Sequence, residues 1–166
     1  MKKNVLLLLI CVVMCGFWGS SALAISETRA ASIVENCDTI KEDLKNLQRS
    51  DSRARVYLGR YYETILNRFI TPLNVRLVEN SLSSTGFIDG QNNFYRKRAD
   101  FIADYIEYQK GLEELVSMDC REGAENFYEK LTSVREKRAR VAYDVERLRK
   151  LAEEYRGFVN ELWSKL

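Results

Sequence analysis

The chain contains no histidine. That absence removes imidazole acid–base catalysis, histidine-activated nucleophiles and histidine-ligated zinc together. Proline occurs once, as Pro72, and glycine eight times. This is poor material for a β-fold that needs many tight turns. No Asn-x-Ser/Thr triplet is present, so nothing marks an N-glycosylation site. Carboxylate or tyrosine chemistry is left, but the carboxylates are dispersed along the chain. No catalytic, cofactor-binding or metal-ligating residue is assigned from the sequence, and no cofactor is expected.

Charge of one sign is also lacking. The chain has 26 basic and 24 acidic residues, and Lys2 and Lys3 both precede Glu27, the first acid. Beyond those two lysines the charges balance. A neutral, mixed-sign chain gives no support to nucleic-acid binding. The clusters Arg96-Lys97-Arg98 and Arg135 to Arg140 read as solvated helix faces.

What is present begins with an export segment. Met1-Lys2-Lys3 precedes an apolar run from Val5 to Trp18, then Gly19, Ser20, Ser21 and Ala22. Ala22-Leu23-Ala24 has the small-x-small form of a signal-peptidase site, so residues 1–24 are expected to be a signal peptide and residues 25–166 one exported domain. An uncleaved N-terminal membrane anchor is the first alternative, since a span takes about 20 apolar residues, and Lys2 and Lys3 would then stay inside. A lipid-attachment box at Val12-Val13-Met14-Cys15-Gly16 is the second, with Met14 too large for the position before the cysteine. Each reading places the folded part outside the cytoplasm, secreted or in the cell envelope.

Two of the four cysteines lie in the export segment, leaving Cys37 and Cys120. An even count in an exported chain predicts a disulfide, and two cysteines without histidine make a poor metal site.

Apolar residues at 4,3,4,3 spacing mark helices with a coiled-coil seam. One stripe runs Ile33, Cys37, Ile40, Leu44, Leu47, Asp51, Ala54, Leu58, Tyr61, Ile65. A second runs Phe94, Arg98, Phe101, Tyr105, Tyr108, Leu112, Leu115. A third runs from Ala124 and Phe127 through Arg138 to Leu162 and Leu166. The expected fold is all-α: helix one over about 30–70, a cap over 71–90, helix two over about 91–118 and helix three over about 121–165. Pro72 should end or kink helix one near Ile70, because it lacks an N–H and pushes Thr71 out of the α region. Ser81 to Gly90 is rich in turn formers, with Asp89 as a cap for helix two. Asp119-Cys120-Arg121-Glu122 has capping-box spacing for helix three.

The two cysteines then act as a ruler. Cys37 to Ile70 spans about 50 Å as helix and Gly90 to Cys120 about 45 Å. An antiparallel hairpin of nearly matched arms puts the cysteines together at its base, with helix three returning parallel to helix one. On this plan a helix one that ran straight to Asn80 would separate the cysteines. Asp51 and Arg138 fall in about the same layer and are expected to form a register-fixing ion pair. Arg98 is expected to snorkel to solvent. The end of helix three overhangs the hairpin, carrying Phe158, Leu162 and Trp163, while the cap offers Leu73, Leu77 and Phe87. These two apolar sets either bury each other or form a docking surface. Nine tyrosines suit half-buried bundle positions, with a glycan or peptide groove as the other reading.

The stretches Asp51-Ser52-Arg53-Ala54-Arg55-Val56-Tyr57-Leu58-Gly59 and Pro72-Leu73-Asn74-Val75-Arg76-Leu77-Val78-Glu79-Asn80 are similar to exported helical, coiled-coil proteins of reduced-genome, host-dependent bacteria. The resemblance implies no activity and carries over no functional residue. The expectation is an exported, non-enzymatic interaction or structural protein of the cell envelope or extracellular space. Its partner would be a protein or a second copy, and membrane contact would come only through an uncleaved signal segment. An extracytoplasmic helical chaperone or substrate carrier is the alternative.

Overall fold

The computed structural model describes residues 25–82 and 84–165. The export segment, with its cleavage, anchor and lipid-box alternatives, lies outside the described residues. Helix is the only regular structure among the described residues, so the chain is all-α. The elements are α1 (Glu27–Glu35), α2 (Cys37–Thr64), a π-helical segment (Ile65–Ile70), α3 (Thr71–Glu79), α4 (Thr85–Ser117) and α5 (Ala124–Trp163). Among the described residues no helix is long and apolar enough to cross a membrane.

Side-chain contacts give the directions of the chain. The disulfide joins Cys37 to Cys120, Asp51 meets Tyr108, Tyr62 meets Phe94 and Asn74 meets Gln91, so α2–α3 and α4 are antiparallel. Lys130 meets Glu114 and Tyr155 meets Phe87, so α5 reverses again. It runs parallel to α2, with Arg121 against Asp38, Arg138 against Asp51 and Tyr155 against Ile70.

Three boundaries depart from the sequence expectation. The first helix breaks at Asn36, whose backbone is not helical and whose amide Nδ2 donates to the Ser32 carbonyl oxygen at 2.9 Å. A side chain that hydrogen-bonds a nearby carbonyl competes with the helix ladder. At the other end, helix continues through Pro72, and Thr71 sits in the α region with φ −62° and ψ −49°. The π-helical turn explains how. A proline ring inside a regular α-helix strikes the carbonyl four residues back, and the wider turn just before Pro72 opens that ladder. The Thr71 N–H reaches the Leu66 carbonyl, five residues back. The apex of the hairpin is therefore not a cap over 71–90: helix runs to Glu79 and resumes at Thr85, and Ser81 between them takes φ 54°.

Gly86, Asp89 and Gly90 consequently lie inside α4 and Asp89 caps nothing. Tertiary packing decides this: Phe87 is buried between Tyr155 and Phe158, with ring centroids 5.5 and 5.8 Å away. At Gly90 an added Cβ would stand 3.3 Å from the Tyr155 ring, so glycine permits the close approach of α4 and α5. The third departure is at Asp119, whose Oδ1 accepts the Arg121 N–H at 2.8 Å in a local turn, and α5 begins only at Ala124.

The cysteines nevertheless meet, with Cα atoms 5.7 Å apart. Cys37 to Glu79 covers about 63 Å as helix, and Thr85 to Ser117 only about 48 Å. Past Ser117 the chain leaves the helix at Met118, whose backbone is extended, and three residues at about 3.3 Å each can supply about 10 Å of the roughly 15 Å difference. The expectation that a helix running to residue 80 would part the cysteines is thereby overturned.

The core falls into two clusters. Around the disulfide lie Ile33, Leu44, Tyr105, Tyr108, Leu112, Leu115, Phe127 and Val134. Toward the apex lie Tyr62, Leu66, Ile70, Leu77, Phe87, Phe94, Phe101, Leu148 and Tyr155. The apolar positions of the second stripe are all buried. The first stripe shifts by one residue beyond Leu58: Tyr62 and Leu66 are buried, while Tyr61 is exposed. A straight α-helix drifts by about 20° per heptad, so the face turned inward moves along the sequence. The π turn then holds Ile70 and Asn74 on that inward face.

Candidate functional site

Asp51 and Arg138 face each other where the two core clusters meet. Arg138 donates from Nε to Asp51 Oδ2 at 2.7 Å and from an Nη to Oδ1 at 3.2 Å. The Tyr108 hydroxyl donates to the same Oδ2 at 2.8 Å. Burial raises the pKa of Asp51, but the bonds from Arg138 and Tyr108 outweigh it and hold the carboxyl below its ordinary value. Beside them a cleft of about 340 Å³ is walled by Phe101, Tyr105 and Tyr108, with Arg55 over the Tyr105 ring at 5.2 Å. Arg98, the other charge in a seam, is half-buried. Its guanidinium approaches Glu63 at 3.8 Å, and its Nε is buried without a hydrogen-bond partner.

The two apolar sets at the apex are brought together. Leu77 and Phe87 are buried, and Leu73 and Leu162 pack partly buried in the same cluster. Phe158 lies against Phe87. Leu77 and Phe87 are covered because α3, α4 and the end of α5 converge there, while Leu73 and Leu162 stay partly open and Phe158 keeps 37% of its surface exposed. Trp163 is separate, with 73% of its surface exposed.

A polar network that the sequence reading missed holds this apex. Asn74, 5% exposed, donates from Nδ2 to the Phe87 carbonyl at 3.0 Å and to Gln91 Oε1 at 2.5 Å. Gln91 donates onward to Thr71 Oγ1 at 3.0 Å. The Tyr155 hydroxyl lies 2.6 Å from Asn74 Oδ1 and 3.2 Å from the Ile70 carbonyl. Burial pushes the Tyr155 hydroxyl up to about 12. A buried amide needs partners for both its donor and its acceptor, and here α4 and α5 supply them.

The surface that stays open lies on α2, the π segment and α3. A groove of about 630 Å³ between this strip and α5 has an apolar lining from Ile65, Phe69, Leu73, Ala152 and Val159, with Glu153 beside them. Arg68, Arg76, Arg149 and Arg156 rim it. Tyr61 connects it to a shallower groove holding Arg53, Val56, Tyr57 and Arg60. The rings of Tyr57 and Tyr61 stack nearly parallel, 6.4 Å apart. Phe69 is 64% exposed and Tyr57 69%. Arg149 is committed to Glu146 and Glu153. Sequence reasoning missed this face, although one signal was available: residues 53–76 hold five arginines, no lysine and one glutamate.

Compared with protein-family models, with curated proteins and with solved structures, the chain matches none.

Proposed function

We propose that this is an exported, non-enzymatic interaction or structural protein that works outside the cytoplasm, in the cell envelope or the extracellular space. On this reading residues 1–24 are a cleaved signal peptide. The mature chain is a rod-like bundle of coiled-coil character, in which a returning third helix joins a disulfide-closed antiparallel hairpin. Export is supported by the N-terminal signal pattern and by the Cys37–Cys120 disulfide, a bond that persists in oxidising compartments. The observation that carries the interaction reading is the exposed aromatic and arginine face running from Arg53 to Arg76. Exposed aromatics together with arginine mark surfaces that bind other proteins.

The test is crosslinking in the producing cell with photo-reactive residues at several exposed positions, followed by identification of the adducts. The expected result is a defined extracytoplasmic adduct; no adduct at any position, together with a strictly monomeric protein in light scattering, counts against the reading. The half-open grooves favour a second reading, a helical chaperone or substrate carrier that holds unfolded clients on the same face. It predicts suppression of client aggregation at near-stoichiometric protein, and absence of suppression eliminates it.

A further inference from the structure

The open face has a charge pattern as well as an apolar floor. Arg53, Arg60, Arg68 and Arg76 follow one another at intervals of seven, eight and eight residues. Two to a groove, they line the joined surface described above. Arg55 turns away into the other cleft, and Glu63, the sole acid of the segment, faces Arg98. Among the described residues none of these four arginines makes an ion pair, and neither does Arg156 across the groove. The segment thus carries a net charge of +4, from five arginines and one glutamate, while the rest of the chain, with 21 basic and 23 acidic residues, is net negative. From Arg53 to Arg76 the strip is about 35 Å long at 1.5 Å per residue.

We propose that this face docks an acidic amphipathic helix of a partner protein. Its apolar stripe lies on Ile65, Phe69 and Leu73, and carboxylates spaced seven to eight residues apart meet the arginines. The proposal rests on the interaction reading above and names the partner's chemistry. A regular helix returns to the same face about every seven residues, as from Arg53 to Arg60, and the π-helical segment Ile65–Ile70, with more residues per turn, falls within the two eight-residue intervals. Guanidinium groups take carboxylates bidentately, and the segment has arginine to the exclusion of lysine. Helix-in-groove docking needs a concave apolar floor with a polar rim, which is the cross-section here. A simple polyanion would leave Phe69 and Ile65 uncovered. An anionic membrane would meet a concave surface it cannot fill. A second copy would bring acids interleaved with basic residues, as in Glu129-Lys130 and Glu136-Lys137.

The test uses the purified disulfide-bonded protein and a fluorescein-labelled helical peptide of 24 residues, with glutamates at the stated spacing and leucines between. Anisotropy titration is expected to show binding that weakens by about tenfold or more in R60E/R68E and also as salt rises. R60K/R68K should fall between wild type and R60E/R68E. Circular dichroism reports that the variants fold. Equal affinity for the same peptide with lysine in place of glutamate overturns the proposal. So does unchanged affinity in folded R60E/R68E. Co-sedimentation with phosphatidylglycerol vesicles that the acidic peptide does not compete assigns the face to a membrane instead. Dimerisation abolished by R60E/R68E assigns it to a second copy. Photo-crosslinkers at Phe69 and at Tyr143, a remote exposed position, separate the two levels of the argument in cells. Adducts at Tyr143 alone overturn this inference and leave the interaction reading standing; adducts at neither remove both.

Discussion

The Asp51 carboxylate on α2 receives both a two-point bond from Arg138 on α5 and the Tyr108 hydroxyl from α4, so one side chain ties three helices together. Asp51 is the more buried partner, with its side chain 17% exposed against 51% for Arg138. Removing it should cost more. Asp51→Ala also strands the Tyr108 hydroxyl and is expected to lose about 2 kcal/mol, whereas Arg138→Ala leaves Asp51 bonded to Tyr108 and should lose about 1 kcal/mol. Urea denaturation of the two single variants and the double variant measures both costs and the coupling between them.

Acid and neutral pH should act oppositely on two carboxyls. Asp144 on α5 is 5% exposed, and its Oδ2 is buried without a hydrogen-bond partner. Burial, with the Asp104 carboxyl beside it and Asp100 nearby, raises its pKa to about 6, against a smaller opposing pull from Lys97. A raised acid contributes stability when protonated, and that contribution is lost as pH climbs from about 4 through 6. Asp51 is held below its ordinary value, so its contribution is present above that value and is lost as pH falls through the lower, folded one. Stability should therefore peak near pH 4, where the Asp51 contribution is complete and the Asp144 contribution has not yet been lost. Asp144→Asn should flatten the decline toward neutral pH and gain about 1–2 kcal/mol at pH 7.5. Thermal melts over pH 3–8 check both arms.

The disulfide closes a loop with a sequence separation of 83 residues. For a loop of this size the chain-entropy model gives about 4–5 kcal/mol. Cys37→Ala combined with Cys120→Ala should lower the urea midpoint accordingly, and reduction of the wild-type protein should reproduce the shift. Frayed protection at α1 and around residues 118–123 in hydrogen exchange would accompany it, because the non-helical connection there is held by that bond.

The amide network at the apex should be unforgiving of partial removal. Asn74→Leu fits the space but leaves Gln91, the Phe87 carbonyl and the Tyr155 hydroxyl without their partner, and it is expected to cost about 3 kcal/mol. Tyr155→Phe removes only the hydroxyl and should cost about 1 kcal/mol. Equilibrium denaturation followed by circular dichroism distinguishes the two values.

The all-α class was legible because apolar spacing is a local property of the chain. The apolar stripe from Phe94 to Leu115 goes inward along its whole length for that reason. The cysteine pair was legible because only Cys37 and Cys120 lie beyond residue 24, so one pairing is available to them. The helix ends were misread where a local signal met a stronger distant one. Pro72 predicts an end or a kink near Ile70; the chain answers with a π turn at Ile65–Ile70 and continues as helix, and Leu77 and Asn74 then find partners on α4 and α5. Gly86 and Gly90 predict a loop, but Phe87 packs between two rings of α5 and draws these residues into helix. The open face was overlooked because a heptad reading ranks residues by their inward stripe. It says nothing about outward residues such as Phe69 and Arg68.

By itself, then, the sequence determined the helical class, the cysteine pairing and the inward stripe near the disulfide, since each depends on residue type and short-range spacing. Only the tertiary structure decided where the hairpin turns, which apolar residues at the apex cover one another and which face stays open. Those outcomes depend on groups about 80 residues apart in the chain, Ile70 with Tyr155 and Tyr62 with Val145 among them, meeting in one layer. No local propensity encodes such a meeting; it follows from helix length, the π turn and the fixed base at Cys37 and Cys120.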